Sequence, residues 1–223
     1  IVSLFDQNSN ETYDHEKQRE SYHFLLEELN KNSELGVILK PKKIKSLERR
    51  LGKDTIELIK KSINTGRCYL FQSTGEIKSS VPINLAAYAS DLCICSNLNT
   101  GTSSIECAST GKPTVVLDRE GFPFSDLYKL KNEEVIFNSW DDLIINMNKY
   151  FKNNMQNHKF GNWSKILKDI DPYQDGLGAQ RMGNYLLNLI NNYSKKMPKE
   201  DSIEEANYNF CQKWGKDKID LQD

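Results

Sequence analysis

The chain has 223 residues, of which 38% are hydrophobic, and this is enough apolar surface for one buried core. A small protein held together mainly by disulfides is therefore excluded. Thirty basic and 31 acidic residues give a formal net charge of -1. Proteins that bind nucleic acid through their overall charge carry a basic excess, so nucleic acid is not an expected partner.

The cysteines and the apolar runs indicate a cellular compartment. None of the five cysteines forms a C-x-x-C pair, and the three histidines have no ligand spacing with them, so no metal site is expected. Cys93, Cys95 and Cys107 lie in apolar segments, which is typical of small buried side chains in a reducing compartment. The sequence has neither a signal peptide nor an apolar run of roughly 18 residues. We therefore expect a cytoplasmic protein.

Six short apolar runs have the character of strands buried on both faces of a parallel sheet. They span residues 1–5, 36–39, 68–72, 92–95, 114–117 and 135–137. Helical patterns fill the intervals and follow the last strand. They span residues 14–30, 44–64, 83–90, 103–110, 125–130 and 141–153.

This alternation predicts an α/β fold, a doubly wound, Rossmann-like parallel sheet of about six strands with helices on both faces. Ligands of such sheets bind beyond the carboxyl ends of the strands, where the strand order reverses. The pattern changes after residue 153. We therefore expect a Rossmann-like nucleotide-binding domain at 1–153, a C-terminal helical extension at 154–194, and a charged tail at 195–223 that is either a loosely docked helix or disordered. Asp175 is a candidate N-cap for a helix near 177–193.

The segment 91–117 carries the most specific pattern, a strand, a turn of small residues, a short helix and a second strand. A helix N-terminus offers unpaired backbone N–H groups and the positive end of a dipole, and small residues let a phosphate approach them. The small residues at this helix start are Thr100, Gly101, Thr102, Ser103 and Ser104. They predict a phosphate or diphosphate site.

Glu106 lies one turn into the same helix. A carboxylate would repel a phosphate, but it can accept hydrogen bonds from the two hydroxyls of a ribose. The combination therefore predicts a nucleotide site. The alternative is an ordinary helix start that carries a solvated glutamate.

Gly-Thr-Ser-Ser at 101–104, Ile-Glu-Cys-Ala at 105–108 and Gly-Lys-Pro at 111–113 lie between two strands. This arrangement resembles the donor-binding signature of GT-B glycosyltransferases, especially the enzymes that make bacterial surface polysaccharides. The resemblance covers residues 1–153 in architecture and is specific over 91–117. It implies that the helix start holds the donor phosphate and that Glu106 holds the ribose.

Three further residues lie at or just after the ends of predicted strands. Lys42 lies in Lys-Pro-Lys-Lys, where several surface-polysaccharide families have a histidine after a basic-Pro pair; a lysine suits phosphate binding, and a solvated basic loop is the alternative. Gln72 is a candidate reader of the base. Arg119 is a candidate ligand of the sugar or phosphate, because an arginine makes paired hydrogen bonds to phosphate oxygens. A surface ion pair with Asp118 or Glu120 is the alternative for Arg119.

The resemblance implies transfer of a glycosyl group from a nucleotide-activated sugar to an acceptor hydroxyl, in the synthesis of a capsular or other surface polysaccharide or of a glycoconjugate. N–H donors at Thr102, helped by Lys42 or Arg119, would stabilise the departing phosphate, so no metal or other cofactor is expected. No residue is assigned as the catalytic base. The sequence begins at Ile1, and we expect a part of a longer enzyme with little activity alone. A separate N-terminal domain would bind the glycan or lipid-linked acceptor, and peripheral membrane association of the full enzyme is left open.

Two alternatives to a glycosyltransferase remain. A sugar-nucleotide epimerase shares the two-domain architecture and a similar donor helix, but its further His, Glu and Arg positions are not found in this sequence. A non-catalytic nucleotide-binding or interaction module would need no chemistry. Titration with nucleoside mono- and diphosphates separates an enzyme half from a module that binds no nucleotide.

Overall fold

The computed structural model describes residues 1–6, 15–72, 81–98 and 101–215. The chain divides into two compact units, from Ile1 to Ile166 and from Leu167 onward. The first unit is an α/β domain and the second is helical. Among the described residues, no helix has the length and apolar character needed to cross a membrane.

The first unit is built on a six-stranded parallel sheet with the order β3-β2-β1-β4-β5-β6. The strands are β1 (Val2–Phe5), β2 (Val37–Lys40), β3 (Cys68–Leu70), β4 (Leu92–Cys95), β5 (Thr114–Leu117) and β6 (Ile136–Phe137). Each predicted strand is present, and the predicted doubly wound α/β fold is confirmed. The strand order reverses between β1 and β4, which pair from Val2 opposite Leu92 to Phe5 opposite Cys95.

Most of the helices overlap segments that the sequence predicts to be helical. The helices are α1 (His15–Lys31), α2 (Leu47–Asn64), α3 (Ile83–Tyr88), α4 (Gly101–Ala108), α5 (Trp140–Lys152), α6 (Ser164–Ile170), α7 (Gly178–Ser194) and α8 (Lys199–Trp214). The helix predicted at 125–130 is a 3₁₀ helix, Asp126–Glu133. The uninterrupted helix predicted at 44–64 begins at Leu47 and is kinked at Gly52, whose φ of 77° is one that glycine adopts readily.

The two faces of the sheet pack against different helices, and successive residues of a strand point to opposite faces. One face packs large aliphatic side chains, such as Leu4 and Ile94, against Leu25 of α1 and Leu143 of α5. On this side the Phe24 and Trp140 rings stack at 5.9 Å. The large core therefore lies between the sheet and helices α1, α2 and α5.

On the opposite face, where α3 and α4 pack, β1 and β4 carry the small side chains Ser3, Cys93 and Cys95. Ser3 in β1 donates a hydrogen bond to the Ala86 carbonyl of α3 at 3.3 Å. Cys93 and Cys95 of β4 and Cys107 of α4 are fully buried. The predicted burial of these cysteines is confirmed, and their small volume lets α4 approach the sheet closely.

In the second unit, α7 packs against α8. The Tyr185 hydroxyl of α7 donates to Asn207 Oδ1 of α8 at 2.9 Å, and the Tyr185 and Phe210 rings meet edge to face at 6.2 Å. The tail predicted at 195–223 therefore contains a helix over Lys199–Trp214.

The prediction that Asp175 caps the helix near 177–193 is wrong. The N-cap residue of α7 is Leu177, and the backbone N–H of Leu177 donates a hydrogen bond to Asp175 Oδ1 at 2.9 Å. The same carboxylate pairs with Arg181, whose Cζ lies 3.5 Å from the centre of the Tyr173 ring and 4.7 Å from that of Trp214. Asp175 thus precedes the helix and anchors an arginine that two aromatic rings cover.

Candidate functional site

A cavity of about 300 Å³ opens at the carboxyl edge of the sheet, next to the point where the strand order reverses. The lining residues lie at or just after the ends of β1 and β2, at the start of α3 and along α4. The lining residues are Phe5, Asp6, Lys40, Lys42, Val81, Pro82, Ile83, Thr102, Ser103 and Glu106. Sheets of this class bind ligands at this position, and the volume lies at the lower end of the range for small-molecule sites.

Four of the sequence-predicted site residues line this one cavity. Lys42 approaches from the loop after β2, whereas Thr102, Ser103 and Glu106 belong to α4. The two groups meet because β2 and β4 flank β1 on either side. The structure therefore brings together a cation, the start of a helix and a carboxylate from distant parts of the sequence.

The other residues predicted at the helix start are placed differently. Gly101 is the first residue of α4, and Thr100 lies outside the described residues. The Ser104 side chain is buried and does not line the cavity, since each helical residue is rotated by about 100° from the one before. Any contact of Ser104 with a ligand is therefore limited to its backbone N–H.

The structure does not bring Gln72 or Arg119 to this cavity. Gln72 is exposed and lies just beyond the end of β3. The Arg119 guanidinium instead contacts α1, where it pairs with Glu20 and donates to the Lys17 carbonyl at 2.5 Å. The alternative predicted for Arg119 was an ion pair with the adjacent Asp118 or Glu120; the observed carboxylate partner, Glu20, is instead 99 residues away in sequence.

Asp118 shapes the loop after β5, to which Arg119 also belongs. The buried Asp118 carboxylate accepts hydrogen bonds from the backbone N–H groups of Gly121 at 3.0 Å and Phe122 at 2.7 Å. It also accepts one from the Tyr128 hydroxyl at 2.5 Å. Asp118 is therefore a structural residue that closes the loop on itself.

Sequence reasoning missed Asp6, which follows β1 and lines the cavity with its side chain buried. Its Oδ2 accepts hydrogen bonds from Arg50 Nη1 at 3.1 Å, the Tyr22 hydroxyl at 2.8 Å and Gln18 Nε2 at 3.0 Å. Its Oδ1 accepts the backbone N–H of Lys42 at 2.5 Å. The position of Asp6 at the carboxyl end of the central strand is the signal that could have identified it.

Arg50 was missed as well, because an arginine in an amphipathic helix resembles a solvated residue. Its guanidinium is buried and contacts more than Asp6. Nη2 donates to the Lys43 carbonyl at 3.0 Å, and Nε donates to Ser46 Oγ at 3.2 Å. The Asp6–Arg50 pair therefore contacts the loop after β2 at Lys42, Lys43 and Ser46.

Burial changes the proton affinities of the groups around Asp6. Burial raises the pKa of Asp6, while the Arg50 guanidinium and the N–H of Lys42 oppose that rise. Burial and the Asp6 charge hold the pKa of Tyr22 well above its ordinary value, so its hydroxyl stays protonated and donates to Asp6. Burial lowers the pKa of Lys40, and Asp6 opposes that change.

The charges of the lining residues favour a particular ligand chemistry. The charged lining residues are Asp6, Lys40, Lys42 and Glu106, and Arg50 pairs with Asp6. Lysines and helix N–H groups suit a phosphate, and a carboxylate suits a hydroxyl donor. A phosphorylated compound that also carries hydroxyl groups matches this set.

Across residues 1–6, 15–72, 81–98 and 101–215, no group of three or more His, Cys, Asp or Glu side chains is placed to hold a metal ion.

The family of the chain is not identified by similarity, since no family model, curated protein or solved structure matches it.

Proposed function

We propose that the chain is the donor-binding part of a GT-B glycosyltransferase. It binds a nucleotide-activated sugar, and the enzyme transfers that sugar to an acceptor hydroxyl in the synthesis of a surface polysaccharide or glycoconjugate. The observation that carries the proposal is the convergence of Lys42, Thr102, Ser103 and Glu106 on one cavity at the switch point of the sheet.

The start of α4 supports the phosphate part of the proposal. The first N–H groups of an α-helix have no partner within the helix, and they carry the positive end of its dipole. Thr102 and Ser103 lie in that first turn and line the cavity, and Lys42 adds a full positive charge. During transfer, negative charge builds on the departing diphosphate, and donors that are already oriented stabilise it.

Glu106 supports the nucleotide part. Its carboxylate is exposed and lines the cavity one turn after Thr102 and Ser103. Such a group would weaken binding of a bare phosphate by repulsion, whereas it accepts charge-assisted hydrogen bonds from sugar hydroxyls. A nucleotide, with its ribose, therefore fits the site better than inorganic phosphate.

The first test is calorimetric titration of the chain with ADP, GDP, CDP and UDP and with the four corresponding nucleosides. We expect at least one diphosphate to bind, and to bind more tightly than its nucleoside. Lys42→Ala should remove most of that difference, whereas Lys53→Ala, an exposed lysine of α2 outside the cavity, should leave it unchanged. A chain that binds none of the diphosphates would contradict the proposal and favour an interaction module.

A further inference from the structure

The buried Asp6–Arg50 ion pair makes hydrogen bonds to the loop that carries Lys42. Asp6 Oδ1 accepts the Lys42 N–H at 2.5 Å, and Arg50 donates to the Lys43 carbonyl at 3.0 Å and to Ser46 Oγ at 3.2 Å. These three contacts lie on consecutive parts of one short loop between β2 and α2. The loop backbone is therefore fixed on both sides of the Lys42 side chain.

The two oxygens of Asp6 have separate partners. Oδ2 accepts hydrogen bonds from Gln18 and Tyr22 of α1 and from Arg50 of α2. Oδ1 accepts the N–H of Lys42, which lines the cavity. Asp6 therefore connects the helices beneath the sheet edge to the wall of the site.

Burial of an ion pair has a large desolvation cost, because both charges lose their hydration. Its benefit is local order. A lysine side chain is long and flexible, and a binding site gains affinity when the groups that contact the ligand are ordered before it arrives. A fixed backbone at Lys42 removes part of the ordering cost that would otherwise fall on binding.

We propose that Asp6, with Arg50 as its counter-ion, is a positioning residue that orients Lys42 toward the phosphate of the ligand. This inference rests on the proposed function, since it assigns Lys42 to a phosphate. Asp6 itself does not contact the phosphate in this account. It acts through the backbone of Lys42.

The test uses Asp6→Asn. The three donors that surround Oδ2 would recruit the amide oxygen of the asparagine, so its NH₂ group would face the Lys42 N–H and the loop contact would be lost. Arg50→Lys is a second variant that keeps a positive charge beside Asp6 but loses the paired contacts to Lys43 and Ser46. Tyr22→Phe is the matched control, because it removes one hydrogen bond to Asp6 and leaves the loop contacts intact.

Two quantities are measured in each variant, hydrogen exchange of the Lys42 amide without ligand and the affinity for inorganic pyrophosphate. In Asp6→Asn we expect the amide to exchange at least about tenfold faster and pyrophosphate to bind about tenfold more weakly. In a chain that already carries Lys42→Ala, Asp6→Asn should cause almost no further loss of affinity. Tyr22→Phe should leave Lys42 exchange close to that of the unchanged chain. If Asp6→Asn does not fold, Arg50→Lys should show the same pattern.

The outcomes separate the two claims. If the unchanged chain binds neither pyrophosphate nor any nucleoside diphosphate, the proposed function fails, and the role of Asp6 fails with it. If the chain binds pyrophosphate but the variants keep the Lys42 amide protected, the positioning role alone is overturned. The same holds if Asp6→Asn weakens binding equally with and without the Lys42 side chain.

Discussion

Arg50 Nη1 lies 3.1 Å from Asp6 Oδ2, and both side chains are almost completely withdrawn from solvent. The pair joins the end of β1 to α2 beneath the candidate site. Removal of either charge leaves the other buried without its counter-ion, and a protein tolerates that poorly.

Replacement of Arg50 by methionine should therefore destabilise the fold. We expect the free energy of unfolding to fall by about 3 to 5 kcal/mol, because Asp6 would stay buried without its counter-ion. Urea denaturation measures the change. The control is Lys53→Ala, an exposed position in the same helix, which should change stability by no more than about 0.5 kcal/mol. A loss of less than about 1 kcal/mol for Arg50→Met would show that the pair contributes little.

Glu106→Ala should weaken nucleotide binding by about 1 to 3 kcal/mol through the loss of charge-assisted hydrogen bonds. Because Glu106 is exposed, the thermal midpoint should hardly change. The affinity of a nucleoside should fall as much as that of its diphosphate, since the contact is to the ribose. Glu57→Ala in α2 is the matched control. Unchanged calorimetric affinity in folded Glu106→Ala would remove this residue from the site.

The cysteines should differ sharply in reactivity. Cys93, Cys95 and Cys107 are fully buried, so a reagent does not reach their thiols. Burial raises the pKa of Cys68 to about 12, so little Cys68 thiolate is available for attack at pH 8. Only the partly exposed Cys211 should react quickly with a thiol reagent in the native chain. All five should react quickly after denaturation. Rapid native labelling at Cys93, Cys95 or Cys107 would contradict the packing of α4 on the sheet.

Gly161→Ala should be strongly destabilising. A Cβ atom at this position would lie 2.7 Å from the backbone nitrogen of Thr114, and the φ of +66° is unfavourable for alanine. The Thr114 N–H donates to the Gly161 carbonyl at 3.1 Å, so the backbone has little room to move away. We expect a loss of at least about 2 kcal/mol in thermal or urea denaturation. Gly183→Ala in α7 meets no neighbour and should be neutral or stabilising by up to about 1 kcal/mol. Equal stability of the two variants would refute the expected clash.

The sheet was predictable because four of its strands, β1, β2, β4 and β5, are buried on both faces and are mostly apolar, as in Leu92–Cys95. The convergence of Lys42 with α4 could also be predicted from the sequence, since residues that follow neighbouring parallel strands meet at one edge of the sheet. The same rule placed Arg119 near that edge. It could not reveal that Glu20 and the Lys17 carbonyl turn Arg119 toward α1.

The residues that sequence reasoning missed depend on contacts between distant parts of the chain. Asp6 and Arg50 are 44 residues apart, and neither belongs to a recognisable motif. The kink at Gly52 lies in the second turn of α2, and a helical pattern does not forecast a single glycine with positive φ. Burial of a charged pair becomes visible only when the packing of α1 and α2 on the sheet is known.

The most direct test of the nucleotide site is a crystal structure of the chain with the nucleoside diphosphate that binds most tightly in the titrations. The diphosphate should lie across the carboxyl edge of the sheet, within hydrogen-bond distance of N–H groups at Thr102 to Ser104 and of the Lys42 ammonium, with the ribose hydroxyls at Glu106. A nucleotide bound elsewhere, for example among the helices that follow Asp171, would contradict both the site and the glycosyltransferase proposal.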